Sequence, residues 1–281
     1  MSTDRLPSEH RPAPSLLVPP SVPTPRRSAR PPSLSRSVPH CPSTPQRPAI
    51  VAHRGASAQA PENTLAAFRR AIEDGAQLLE CDVHLSADGQ VVVMHDETVD
   101  RTAQADSPLR TGAISDLTRA QLDTVLLANG ERVPALADLL EMTTVPLFIE
   151  VKVASAAKAV TELLRALPSG SPAAASTVIS FHADALAEIR RGAEVPVSSL
   201  VEQVDEQAIA VARELGAAGI GPSIKGLSLR AAEAVHEAGM AVNPWTVNTV
   251  AQLEVALACG ADTITTDDPA WVQRELDVRL G

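Results

Sequence analysis

Two hydrophobic patterns alternate along the chain from residue 48 onward. Short runs of five to eight residues that are rich in Val, Ile and Thr are typical of buried strands. Stretches between them that are rich in Ala, Leu and Glu have the repeat of amphipathic helices. The predicted strands are residues 49–53, 78–85, 147–152, 176–181, 195–201, 218–223, 240–247 and 262–267.

Helices are predicted between most of these strands, and several of them end in glycine, a common helix terminator. Eight strands that alternate with helices over about 230 residues favour an α/β fold, a parallel TIM (β/α)8 barrel. An open sheet more often has roughly five to seven strands. The predicted helices include residues 64–75, 183–192, 205–216, 229–239 and 249–260.

A small inserted segment after the second strand interrupts this alternation. Asp88 and Gly89 predict a hairpin turn, and VVVMH at 91–95 predicts an extra strand that runs back along the second one. Residues 97–117 have no regular pattern, and helices resume near 118 and 136. An insertion at this point belongs at the C-terminal mouth of the barrel, where loops build active sites.

Residues 1–47 differ in composition from the rest of the chain. Thirteen of the 23 prolines lie within residues 1–50, mixed with Ser and Arg. Such a segment has too little apolar surface to offset its ordering entropy, so we expect a disordered extension over 1–47 and a barrel domain over 48–281. The extension is either dispensable or a basic docking or regulatory arm, since it carries a net charge of +5 against −15 for the remainder.

Composition and charge exclude several kinds of partner. The formal net charge is −10 and aromatic residues are 2% of the chain, with no Tyr, which argues against nucleic acid. No window approaches the ~20 apolar residues of a membrane span, so no stable membrane insertion is expected. Cys41, Cys81 and Cys259 form no close-spaced pair. This argues against a zinc site or a disulfide framework and favours a cytoplasmic location.

Three acidic residues lie within the second and third predicted strands. Glu80 and Asp82 point to one side of their strand, as do Glu150 and Lys152 of the next, because side chains alternate along a strand. The resulting three carboxylates repel one another unless a positive charge lies between them. A divalent cation with oxygen ligands, Mg²⁺ or Ca²⁺, would supply that charge. The alternative is a salt-bridge network with Arg54 and Lys152.

Two histidines lie near this predicted cluster. His53 ends the first strand, directly before Arg54, and His95 ends the extra strand. Neutral imidazole accepts or donates a proton near pH 7, so both are candidate acid and base catalysts. A lone histidine at a strand end is more often structural, but a pair beside carboxylates, Arg and Lys favours catalysis.

Several short motifs form a specific combination, although each alone is weak. They are HRG at 53–55, PENT at 61–64, ExD at 80–82, DG followed by VVVMHD at 88–96, ExK at 150–152 and WTVN at 245–248. Together they resemble the glycerophosphodiester phosphodiesterase family. The resemblance extends from residue 49 to about residue 275.

The resemblance implies a TIM barrel with a small inserted segment. It also implies metal-dependent cleavage of small-molecule glycerophosphodiesters to an alcohol and sn-glycerol 3-phosphate. By motif position it implies Glu80, Asp82 and Glu150 as ligands of one divalent cation, His53 and His95 as the acid and base, and Arg54 and Lys152 as phosphate contacts.

Some residues have two interpretations. Trp245 is either an apolar wall against the glycerol or the departing alcohol, which the resemblance favours, or part of the core. Glu62 is either a supporting carboxylate near the metal or a favourable charge at the start of a helix. His84 is expected to be a solvated residue at the rim, and Asp267 and Asp268 are expected to cap the last helix.

Three functions follow from these patterns. The first is a soluble glycerophosphodiesterase that uses two histidines in acid and base catalysis. The second is a lysophospholipase D-like enzyme that acts on lipid, although no amphipathic membrane-binding stretch is evident. The third is a catalytically silent barrel that binds phosphodiesters, against which the complete set of histidines and carboxylates argues. The nucleophile is either water or the neighbouring glycerol hydroxyl, through a cyclic phosphate, and the sequence does not decide which histidine acts first.

Overall fold

Eight parallel strands surround one axis in the computed structural model, which describes residues 47–280. The strands of the chain are β1 (Ala49–His53), β2 (Leu78–Leu85), β3 (Val91–Val93), β4 (Leu147–Val151), β5 (Thr177–Ser180), β6 (Val197–Val201), β7 (Gly219–Pro222), β8 (Ala241–Val242) and β9 (Thr263–Thr266). Their pairing order is β8, β7, β6, β5, β4, β2, β1, β9, and β3 pairs antiparallel with β2 outside this order. The predicted TIM-barrel class is confirmed.

Helices pack on the strands around the barrel. They are α1 (Leu65–Glu73), α2 (Arg119–Leu122), α3 (Leu136–Met142), α4 (Ala157–Arg165), α5 (Ala183–Gly192), α6 (Glu206–Glu214), α7 (Leu229–Glu237), α8 (Val250–Ala258) and α9 (Pro269–Leu280). Strand residues such as Leu79 and Ile149 are buried in one core with Phe68 of α1 and Leu186 of α5. Each such side chain contributes about 1.5–3 kcal/mol by leaving water. Cys81 lies in this outer core.

The barrel closes between β8 and β9 without a continuous ladder. The predicted strand over 240–247 is shortened to Ala241–Val242, because Pro244 has no N–H group with which to extend it. Single backbone hydrogen bonds continue the contact instead. The N–H of Asp262 donates to the carbonyl of Val242 at 2.9 Å, and the N–H of Thr265 donates to that of Pro244 at 3.3 Å. In the other direction, the N–H of Val247 donates to the carbonyl of Thr265 at 2.8 Å.

The chain turns sharply as it leaves β1. Arg54 and Gly55 both have left-handed backbone angles, with φ of 56° and 83°. Gly55 also lies directly against α1, since a Cβ atom at this position would be 2.6 Å from the carbonyl carbon of Ala67. Only glycine satisfies both conditions, so this residue fixes the direction of the turn that carries Arg54.

The inserted segment is a packed unit. β3 pairs with the end of β2, with Val93 aligned to Val83 and Val91 to Leu85. Gly89 forms the expected turn with φ of 78°. The segment has a hydrophobic cluster of its own, which starts in β3 and is made of Val92, Met94, Val99, Ile114, Leu117, Leu122, Val125, Leu127 and Val133. This cluster holds the irregular stretch against the barrel mouth.

The predicted extension over 1–47 lies outside the described residues, except for Arg47. The guanidinium of Arg47 donates to Asp277 of α9 at 2.7 Å on the exposed surface. Within residues 47–280, no helix has the length and apolar character that crossing a membrane requires.

Gly55→Ala should destabilise the protein by at least about 2 kcal/mol more than Gly75→Ala, because strain and overpacking add at Gly55. Gly75 is a matched control, since its φ is 85° but nothing lies within 4 Å of an added Cβ. Urea unfolding of both variants measures the difference. Equal losses of stability would show that contact with α1 does not constrain the turn.

Candidate active site

The C-terminal ends of three adjacent strands, β1, β2 and β4, carry most of the predicted site residues. His53 is aligned with Glu80, and Asp82 is aligned with Glu150. Aligned residues of neighbouring strands point to the same face of a sheet. Since Cys81 between them points to the outer core, these side chains point into the barrel.

Glu80, Asp82 and Glu150 form one buried acidic cluster. A carboxylate oxygen from each lies within 4.8 Å of the others. The residues are 3%, 0% and 9% exposed, so water screens their repulsion poorly. Oδ1 of Asp82 has no hydrogen-bond partner among residues 47–280. This arrangement is the expected one, with oxygen ligands converging on a space that could hold a metal ion.

The electrostatics of this cluster also favour a bound cation. Burial and the nearby Asp82 raise the pKa of Glu150 to about 7. Burial, Asp82 and Glu150 raise the pKa of Glu80 well above its usual range. Burial alone would raise the pKa of Asp82 as well, but Arg54 and Lys152 hold it below its ordinary value. The two basic side chains therefore balance only part of the acidic charge.

Arg54 contacts the cluster through both its backbone and its side chain. Its left-handed backbone directs its N–H group to Glu80 Oε2 at 2.9 Å, and its Nε lies 3.3 Å from Asp82 Oδ2. Asn63 supports the same turn, because its N–H donates to the carbonyl of Arg54 and its amide donates to Asp82 Oδ2 at 2.8 Å. Thr64, rather than Asn63, caps α1 by accepting from the N–H of Ala67.

Lys152 lies on the opposite side of the cluster from the β1 turn. Its Nζ is 2.8 Å from Glu150 Oε1 and 3.4 Å from Asp82 Oδ1. The predicted salt-bridge network thus exists in part, and it coexists with the converging carboxylate oxygens. Arg54 and Lys152 both line the cavity above the cluster.

Each of the two candidate histidines is held by a carboxylate. Nδ1 of His53 is 2.6 Å from Asp267 Oδ1, and Nδ1 of His95 is 2.7 Å from Asp96 Oδ1. A hydrogen bond from Arg101 lowers the pKa of Asp96 to about 2, so this carboxylate only accepts hydrogen bonds at neutral pH. The pKa of Asp267 is also lowered, because contacts with His53 and Asn248 outweigh its burial. Both imidazoles therefore donate from Nδ1, which leaves Nε2 of each ring available for proton transfer.

Asp267 and Asp268 were both expected to cap the last helix. The prediction is right for Asp268 and wrong for Asp267. Asp268 caps α9 by accepting from the N–H of Trp271 at 2.8 Å. Asp267 instead accepts from Asn248 at 2.6 Å and from the hydroxyl of Ser57 at 3.2 Å, besides holding His53. Asn248 belongs to the WTVN motif, whose pairing with the end of β9 the sequence pattern did not reveal.

His84 was expected to be a solvated residue at the rim, and the structure corrects this. His84 is 4% exposed, and its Nε2 is 3.1 Å from the backbone carbonyl of His95. The hairpin formed with β3 covers the end of β2, and the resulting burial lowers the pKa of His84. His84 therefore supports the backbone at His95.

Glu62 lies between two arginines at the mouth. Its Oε1 accepts from Arg54 Nη1 at 3.1 Å and from Arg101 Nη2 at 2.6 Å. These ion pairs, rather than a helix terminus, lower the pKa of Glu62 despite its burial. Arg101 was not predicted, because it lies in the stretch without a regular pattern. Asp96 belongs to the VVVMHD motif, but the motif predicted no role for it.

The other half of the mouth has a large apolar wall, although Ser198, Glu202 and Asn243 also line it. The cavity above the cluster has a volume of about 250 Å³. The indole of Trp245 donates to the carbonyl of Gly221 at 2.8 Å and meets the ring of Phe181 edge to face, with centroids 5.6 Å apart. Ile179 and Leu200 continue this wall into the barrel. The site thus joins a charged end to an apolar side.

Fold and site together define a class, that of (β/α)8-barrel enzymes with an acidic cluster and two basic side chains at the mouth. Residues 53–271 match the sequence profile of the glycerophosphoryl diester phosphodiesterase family. The chain belongs to this family. It is a phosphodiesterase that hydrolyses glycerophosphodiesters.

Individual relatives agree with this assignment. A glycerophosphodiester phosphodiesterase of Caldanaerobacter subterraneus is 30% identical over an alignment of 230 residues, which covers 78% of this chain and 94% of the relative. A probable glycerophosphodiester phosphodiesterase 1 of Mycobacterium tuberculosis is 31% identical over 80% of this chain and 93% of its own. A phosphodiesterase of Oleispira antarctica, solved with the product sn-glycerol-3-phosphate, superposes with a TM-score of 0.75 at 26% identity, over 82% of this chain and 97% of that one.

Without metal, the stability of the protein should fall as pH rises, because of Glu150. Its pKa in the folded state is about 7 against an ordinary 4.5, so between these values the folded state binds more protons than the unfolded state. Raising the pH through this window should lower the free energy of unfolding of the wild type by about 3 kcal/mol relative to that of Glu150→Gln. Urea unfolding in a chelator from pH 4.5 to 8 measures this, and added Mg²⁺ or Ca²⁺ should remove the loss. Parallel stability curves for the two proteins in chelator would contradict this account.

Proposed function

We propose that this phosphodiesterase releases an alcohol and sn-glycerol 3-phosphate with the help of one divalent cation, Mg²⁺ or Ca²⁺, and two histidines. The observation that carries the proposal is the pair of histidines whose Nδ1 atoms are held by carboxylates beside three buried carboxylates. The bound product of the Oleispira relative supports the choice of product.

Glu80, Asp82 and Glu150 would hold the cation. Oδ1 of Asp82, which accepts no hydrogen bond among residues 47–280 and has only the ion pair with Lys152, fits such a ligand set, as do the raised pKa values of both glutamates. When bound, the cation supplies positive charge next to the non-bridging oxygens of the phosphate, where negative charge is the main barrier to attack. All-oxygen ligands favour Mg²⁺ or Ca²⁺ over softer metals.

Arg54 and Lys152 would orient the phosphate from two sides. Both line the cavity, and both are fixed by the acidic cluster, so they lose little freedom when a substrate binds. Trp245 would contact the organic part of the substrate as one face of the apolar wall. Glu62 would act through Arg54, whose guanidinium it holds.

His53 and His95 would move the protons. One Nε2 takes a proton from the nucleophile, and the other gives a proton to the departing alkoxide. Asp267 and Asp96 hold the rings in one tautomer and stabilise the charged imidazolium as it forms. Water and the neighbouring glycerol hydroxyl are both compatible nucleophiles.

A lysophospholipid is the second candidate substrate, on the ground of the apolar wall. Phe181 is 45% exposed beside Trp245, which would suit an acyl chain that leaves the cavity.

We also propose a cytoplasmic location. Among residues 47–280, Cys81 and Cys259 are free thiols, and free thiols are typical of proteins in a reducing compartment.

His53→Ala and His95→Ala should each lower turnover roughly 10²- to 10⁴-fold, because each removes one proton transfer. Release of glycerol 3-phosphate from a panel of glycerophosphodiesters, with metal-stripped protein and added Mg²⁺, Ca²⁺ or Mn²⁺, measures the effect. A lysophospholipid in the same panel tests the second candidate. Near-normal turnover in both variants, or turnover that needs no metal, would refute the proposed mechanism.

Asp267→Asn should lower kcat by about 10- to 100-fold, because an uncharged amide replaces the carboxylate that fixes the tautomer of His53 and stabilises its charged form. Asp268→Asn is the matched control, since it changes the neighbouring carboxylate, which caps α9 and does not touch His53. The control should lose stability by up to about 1 kcal/mol and keep its kcat. Equal kcat values for the two variants would show that Asp267 does not act through His53.

A further inference from the structure

Arg101 of the inserted segment shares a carboxylate with each of two site residues. Toward His95 the shared group is Asp96, which accepts from Arg101 Nε at 2.6 Å and from Nη2 at 3.0 Å. The oxygen that takes the Nη2 bond, Oδ1, also lies 2.7 Å from Nδ1 of His95. The guanidinium therefore fixes the carboxylate that fixes the imidazole.

Toward Arg54 the shared group is Glu62. It accepts from Arg101 Nη1 at 3.0 Å and from Nη2 at 2.6 Å, while its Oε1 also accepts from Arg54. One planar group thus forms two forked ion pairs on different carboxylates. Paired hydrogen bonds of this kind fix direction as well as distance.

The backbone around Arg101 is itself held in place. The N–H of Ala103 donates to the carbonyl of Val99 at 2.9 Å, and Val99 is fully buried in the hydrophobic cluster of the segment. The side chain of Asp100 accepts from the N–H of Gly112 at 3.0 Å. The turn that presents Arg101 therefore rests on packing of the segment, not on the ion pairs themselves.

We propose that Arg101 is a positioning residue for phosphodiester hydrolysis, which orients His95 through Asp96 and Arg54 through Glu62. This inference rests on the function proposed above. Within residues 47–280, the guanidinium forms its ion pairs with the two shared carboxylates and is not part of the cavity lining, so its effect would pass through those carboxylates. The inserted segment thereby contributes to the geometry of both the proton transfer and the phosphate contact.

Arg101→Ala should lower kcat by about 10- to 100-fold, as expected when reacting groups are misplaced by about 1 Å. Arg101→Lys should recover only part of this loss, because an ammonium group cannot form two forked pairs. The side chain is 49% exposed, so thermal stability should change little in either variant.

Arg119→Ala is the matched control. Arg119 also ties parts of the segment together, through Asp123 at 2.6 Å and the carbonyl of Val133 at 2.9 Å, but it contacts neither shared carboxylate. This control should lose at least as much stability as Arg101→Ala and keep its kcat. If loss of kcat follows loss of stability in both variants, Arg101 is merely structural and the proposal is wrong.

The decisive measurement is a mutant cycle. In a Glu62→Gln/Asp96→Asn background, Arg101→Ala should cost less than about threefold in kcat, because the carboxylates it acts through are already changed. A full, multiplicative loss in that background would overturn the proposal. The proposal would also be overturned if Arg101→Ala had the kcat of the wild type while His95→Ala was impaired. That result would leave the proposed function intact. Wild-type protein that is inactive with every metal would refute the proposed function and this inference with it.

Discussion

Repulsion among three buried carboxylates is the constraint on which the rest of the mouth depends. Glu80, Asp82 and Glu150 cannot all ionise in this barrel without cations beside them. The left-handed turn at Arg54 directs a backbone N–H group and a guanidinium at the cluster from one side, and Lys152 meets it from the other. The strained turn after β1 is thus explained by the charge that it brings to the acidic end of β2.

Carboxylates have two distinct roles at this site, and their surroundings decide which. The inner ones, Glu80, Asp82 and Glu150, are buried next to one another, so the pKa values of both glutamates rise and a cation beside them would be favourable. The outer ones, Asp96 and Asp267, each lie beside donors, so their pKa values fall and they hold histidines. The same chemical group therefore binds charge at the centre and fixes geometry at the edge.

Much of this arrangement could be predicted from the sequence, because it follows from local periodicity. β1 and β2 have the predicted bounds, and alternation along β2 places Glu80 and Asp82 on one face. What could not be predicted depends on contacts between distant segments. Asp267 is 214 residues from His53 and Arg101 is 39 residues from Glu62, and neither pair has a periodic signal. The early end of β8 shows a further limit, since a hydrophobic run predicts a strand that one proline interrupts.

The two halves of the barrel mouth impose an orientation on any diester that binds there. Most of the charged groups come from β1, β2 and β4 and the segments after them, whereas β5, β6 and the segment after β8 supply Ile179, Leu200 and Trp245. Glu202, directly after β6, is a charged exception, and its negative charge would not attract a phosphate. A phosphate placed on the apolar wall would lose its hydration without gaining a cation, at a cost far above that of moving an alcohol. In the proposed mechanism the phosphate lies at Arg54 and Lys152, so one of its two organic groups would turn toward Trp245. With that placement, selectivity among alcohols would depend on the side of the mouth that carries Trp245. The chemistry and the choice of substrate would then depend on different strands of one barrel.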